Sequence, residues 1–142
     1  MNYLQSIIAL FGATLMLFSL DQPTQTMDIV NPLPKCPSTP NCAVADLTFA
    51  TDSATVLSAA ETTFRDMEAQ SIEWNSDSTQ IHAVFRIPVF GYLDDVHVAA
   101  VPSGSDTRLF VRSASREGHW DIGVNGRRVK KFTKHIKNHL SN

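Results

Sequence analysis

Residues 111–128 read VRSASREGHWDIGVNGRR and hold four arginines, three glycines, two serines, an Asp, a Glu and a His. That is too polar for a core and too particular for a linker. Arginine forks suit phosphate or carboxylate. Arg112 and Arg116 stand four apart across an expected strand end, and Arg127 and Arg128 fall in the first turn of an expected helix. If residues 117–124 fold back, the guanidiniums converge. Gly118, Gly123 and Gly126 would then allow close backbone approach, and the helix start would add N–H donors. With Ser113, Ser115, Asp121 and Asn125 beside them, these residues form a candidate anion-accepting site.

Two other readings use the same residues. In the first, Asp94, Asp95 and Asp121 neutralise the arginines as a tie between strand and helix. An arginine at a helix N-terminus opposes the dipole, so it implies a specific partner, and a protein carboxylate serves as well as a ligand. In the second, Ser113 or Ser115 with His119 and Asp121 supplies the residue types of a nucleophile triad. That makes a hydrolase acting on an envelope or lipid-type substrate the rival class. Against it, His119 and Asp121 are only two apart, no G-x-S-x-G sequence is present, and loop serines often bond to backbone. His135 and His139 have metal-capable i,i+4 spacing, but there is no H-E-x-x-H, so neither a metal nor a cofactor is expected. Nucleic acid is not an expected partner: the net charge is -2, with only two Trp and two Tyr.

The elements that must position these residues follow from periodicity. Residues 52–70 predict a helix, with Asp52 or Ser53 as cap and Val56, Leu57, Ala60, Phe64 and Met67 on one face. Ser71–Asn75 is a short strand. Residues 80–87 alternate, with Ile81, Ala83, Phe85 and Ile87 facing one way. Residues 95–101 place Val96, Val98 and Ala100 inward, and 108–113 place Leu109 and Val111 together. A helix over 125–140 carries Val129, Phe132, Ile136 and Leu140 on its apolar stripe, with lysines off it. The expected architecture is α+β in two layers: an antiparallel sheet of about four strands with two helices, in the order α-β-β-β-β-α.

The N-terminus is different. Residues 3–20, YLQSIIALFGATLMLFSL, carry no charge. As a helix they would span about 27 Å, close to a bilayer core. Residues 1–20 therefore read as a signal peptide or membrane anchor and form an expected hydrophobic helix. Residues 21–35, with three prolines, read as a linker, and 36–142 as a single domain. In an exported protein Cys36 and Cys42, the only cysteines, most simply form a disulfide. The domain is then expected outside the cytoplasm, periplasmic or extracellular, with the membrane as partner through residues 3–20. Asp21 to Thr107 holds twelve acids and three Lys or Arg, whereas Arg108 to Asn142 holds nine Lys or Arg and two acids. The basic end is either a solvated helix face, a partner for the acidic body, or a patch for anionic lipid.

Three motifs in order, CPSTPNC, FGYLDDVHV and VRSASREGHWDIGVNGRR, resemble an uncharacterised family catalogued as domain of unknown function 1499. Its members are similar in a Cys-Pro…Pro-Asn-Cys start, an aspartate pair opening a strand, and an R-S-x-S-R…D-x-G-x-N-x-x-R ending. The resemblance covers roughly residues 34–138 and implies the domain, not an activity. The expected function is a non-catalytic, envelope-associated binding module. Its partner would be an anionic small molecule or lipid headgroup.

Overall fold

The computed structural model describes residues 28–118 and 120–141. Seven elements run in order: β1 (Cys42–Phe49), α1 (Ser53–Asp66), β2 (Ser71–Trp74), β3 (Gln80–Arg86), β4 (Leu93–Ser103), β5 (Asp106–Ser115) and α2 (Val124–Leu140). The strands form one antiparallel sheet in the order β1-β5-β4-β3-β2. Both helices cover one face of it, which gives the two-layer α+β fold.

The described residues form five strands, not four. The extra one is β1, where half-buried Ala43, Ala45, Leu47 and Phe49 alternate with exposed Val44, Asp46 and Thr48. The period of two is present in the sequence. It is faint because two of the four inward residues are alanines, at an edge where little area is buried. The strand pairs along its whole length with β5, from Cys42 opposite Ala114 to Phe49 opposite Thr107.

The core lies between sheet and helices. Phe64 of α1 and Phe132 of α2 meet at 4.9 Å between ring centroids, and Phe64 meets Phe85 of β3 edge-on at 6.1 Å. Ile81, Val96, Val98, Leu109 and Val111 form the sheet's side of this layer. Asp52 caps α1 by accepting from the Thr55 N–H at 2.9 Å. The other sheet face is open except at one end. There Leu33 is buried against Ala99 and Phe110, within the stretch expected as a linker. Cys36 and Cys42 are joined in a disulfide, which is consistent with a non-cytoplasmic location. Among the described residues no helix is long and apolar enough to cross a membrane. The hydrophobic segment 1–20 and residues 21–27 lie outside the described residues.

Candidate functional site

Strand parity divides the candidate residues between the two faces of the sheet. Along β5, Ser113 and Ser115 point to the helices and Arg112 to the open face. On β4, Asp94 points in and Asp95 out. The four arginines therefore do not converge. Arg128 lies on the helix side, Arg112 and Arg116 on the open side, and Arg127 in the first turn of α2, reaching back to the loop before it.

On the helix side the polar residues form one closed knot. Asp121 Oδ1 accepts from the Gly123 N–H at 2.8 Å. Its Oδ2 accepts from the Asn125 N–H at 2.7 Å and from Asn125 Nδ2 at 2.8 Å. Gly123 holds φ at +74, which turns the chain so that one carboxylate reaches two N–H groups at the start of α2. Burial opposes ionisation of Asp121, but the hydrogen bonds from Asn125 and Gly123 outweigh it and hold the carboxyl below its ordinary range. Asn125 is fully buried. Its Nδ2 also donates to the Asn41 carbonyl at 3.1 Å and to Ser115 Oγ at 3.0 Å, and its Oδ1 accepts from Ser113 Oγ at 2.5 Å and Arg128 Nη1 at 3.0 Å. Asn41 closes the knot by donating to the Gly118 carbonyl at 2.7 Å.

Arg128 completes it. Its Nη2 lies 2.7 Å from Asp94 Oδ2, with Arg128 10% and Asp94 0% exposed, and its guanidinium sits 5.0 Å above the Phe85 ring. The contact is an ion pair rather than a well-aligned hydrogen bond: among the described residues neither oxygen of Asp94 has a hydrogen-bond donor in good geometry. The dipole cost of an arginine at this helix start is offset by a buried carboxylate.

The open face holds a second arrangement. Arg116 grips Asp95 with two hydrogen bonds, both 2.8 Å, and His82 Nε2 approaches the same carboxylate at 2.7 Å. The Arg116 fork is the larger cause, and with His82 it outweighs burial to pull the Asp95 carboxyl down to about 2. His82 stacks on His97 with centroids 4.4 Å apart, and Arg112 is the next residue across the sheet. Burial chiefly, with help from the His82 and Arg112 charges, holds His97 below its ordinary value. Arg112 has no carboxylate within ion-pair distance among the described residues. Its Nε and the Nδ1 of His97 are both shielded from solvent and, among the described residues, without hydrogen-bond partners.

Arg127 donates to the Ile122 carbonyl at 2.8 Å. Ser115 and Asp121 border a cleft of about 380 Å³ together with Tyr92, Glu117 and Trp120. Ser113 is fully buried with its hydroxyl engaged, and His119, the expected base of a triad, lies outside the described residues. His139 pairs with Asp66 at 2.8 Å. Two participants were not foreseen from sequence: Asn41, whose only hint is its place in the Pro-Asn-Cys motif, and the His82–His97 stack. The stack follows from the β3–β4 register, which only the fold supplies.

With this geometry in hand, the chain can be set against known proteins. The model of a family described as "Protein of unknown function (DUF1499)" matches residues 32–136, and the chain belongs to that family. No curated protein matches the sequence. Among solved structures, the adenylate sensor from AMP-activated protein kinase in complex with ZMP aligns with a TM-score of 0.54 at 13% identity, over 64% of this chain and 94% of that one. A START superfamily protein from Mycobacterium smegmatis aligns with a TM-score of 0.43 at 13% identity, over 70% of this chain and 97% of that one. At such identities the first likeness speaks to the fold alone.

Proposed function

We propose that this domain is a non-catalytic binding module, anchored to a membrane or secreted, which accepts an anionic group on its open sheet face at Arg112. One observation carries the reading: the other guanidiniums of the motif are occupied and this one is not. Asp94 takes Arg128, Asp95 takes Arg116, and a carbonyl takes Arg127. Among the described residues Arg112 keeps a solvent-shielded Nε with no acceptor, beside an equally unpartnered His97 nitrogen. A buried donor without a partner costs about 1–3 kcal/mol, and an oxyanion supplies the missing acceptors. A small phosphate or carboxylate compound and a lipid headgroup share this chemistry.

The hydrolase reading rests on Ser115 and Asp121 bordering one cleft. It is the weaker one, because Asp121 already accepts three hydrogen bonds at the start of α2. Thermal unfolding with sulfate, inorganic phosphate or glycerol phosphate tests the proposal. A rise in Tm in the native protein that is lost in Arg112→Met and kept in Arg127→Met supports it. A rise that survives Arg112→Met, or no rise with any of the three, counts against it.

A further inference from the structure

The end of the sheet near α2's start carries a feature that the anion site does not use. Two neighbouring stretches, 87–92 and 120–123, present large apolar side chains to solvent. Val89 is 82% exposed, Phe90 66%, Tyr92 51%, Trp120 78% and Ile122 77%. Phe90 and Tyr92 stack at 6.0 Å, and they face Trp120 and Ile122 across a groove of about 320 Å³. Ile122 holds φ at +52, a region that β-branched residues rarely enter. Asp121 and Gly123 on either side are fixed by the start of α2, so the backbone keeps Ile122 turned outward.

A basic group lies against each tip. The Arg86 guanidinium packs against Gly91, within 3.1 Å of where a Cβ would stand, and Arg127 lies against Gly123 while holding the Ile122 carbonyl. Neither arginine has a carboxylate within ion-pair distance among the described residues. Of the nearby acids, Asp121 is engaged by α2 and Glu117 borders the adjoining cleft. Aromatic tips above a cationic collar fit the boundary between acyl chains and phosphates, where Trp and Tyr keep their polar edges wet and arginine meets headgroups.

We propose that residues 87–92 and 120–123 form an interfacial wedge that inserts into a bilayer containing anionic lipid, with Arg86 and Arg127 at the phosphate level. A second copy of the chain fits less well, because a symmetric contact would bring together four guanidinium charges that no carboxylate neutralises among the described residues. The wedge is separate from the Arg112 face and does not depend on it.

Trp120 is the natural reporter, since the only other tryptophan, Trp74, can be replaced. The full-length Trp74→Phe protein is reconstituted into vesicles of phosphatidylcholine alone or with phosphatidylglycerol, each with and without acyl-chain bromines. The expected result is blue-shifted Trp120 emission, quenched by the bromines and more strongly with phosphatidylglycerol. Replacing both Arg86 and Arg127 by Gln should reduce the extra quenching on anionic vesicles by about thirtyfold in apparent partition. Trp120 emission that stays at the solvent wavelength and is unquenched overturns the proposal. So does a blue shift that follows protein concentration without lipid, which would mark a contact between copies. Quenching unaffected by the Arg86 and Arg127 changes removes the cationic collar from the account.

Discussion

Replacing Arg128 by Met should be among the most damaging single changes in the fold. Arg128 is the ion-pair partner of Asp94, which is fully buried and lacks any other well-placed donor among the described residues. The change leaves that carboxylate without its countercharge. It also removes a donor from Ser113 Oγ and from Asn125 Oδ1, and a cation from the face of Phe85. Breaking a buried pair from one side costs about 3–5 kcal/mol. That is a large share of a domain stability of about 5–15 kcal/mol. Urea unfolding followed by far-UV circular dichroism should show a lower midpoint at an unchanged slope. The double variant Asp94→Leu with Arg128→Met should recover much of the loss, since it removes both buried charges. A single-variant cost below about 1 kcal/mol, or a double variant no better than the single, would refute the idea that this pair ties α2 to the sheet.

Other outcomes follow from the same geometry. Asn125→Ala removes donors from Asp121, Asn41 and Ser115 and an acceptor from Ser113 and Arg128, and should cost about 3 kcal/mol in urea unfolding. Asp95 is held at about 2 against an ordinary 3.8, so its contribution is complete above about pH 4 and is lost as pH falls toward 2. Allowing for solvent screening, that contribution is about 1 kcal/mol, and Asp95→Asn should flatten this acid limb of the stability curve. His97 is flanked by His82, Asp95 and Arg112 and sits below its ordinary value, so a bound anion should draw a proton onto it. Titration calorimetry with sulfate, whose charge is fixed, should show tighter binding as pH falls from 7.5 to about 6. His97→Gln should remove that dependence.

Much of the fold was legible in the sequence, and the limits were physical. The spacing of Phe64 and Phe132 with their neighbours marked both helices, and alternation marked β3, β4 and β5. The edge strand β1 escaped because alanines carry little of the apolar contrast that alternation needs. Of the three acids read as possible partners for the arginines, Asp94 pairs with Arg128 and Asp95 with Arg116, whereas Asp121 instead accepts from Gly123 and Asn125 at the start of α2. The assignment of the first two was half visible: with Val96 and Val98 inward, period two already sends Asp94 to the helices and Asp95 to the open face. The partner of each was not visible, because Arg128 reaches Asp94 only through the packing of α2 on the sheet. The left-over guanidinium of Arg112 depends on the same long-range choice. So does Asn41, which meets Asn125 across 84 residues of sequence.

The claim that Arg112 is the anion-accepting group is tested most directly on its own Nε–H. In a ¹⁵N-arginine spectrum of the native protein, one Nε–H resonance, assigned by its absence in Arg112→Met, should move saturably with sulfate or inorganic phosphate. The Arg116 and Arg128 signals should stay nearly fixed, because their guanidiniums are already paired. An Arg112 signal that does not move while another arginine's does would contradict the account and place the anion elsewhere.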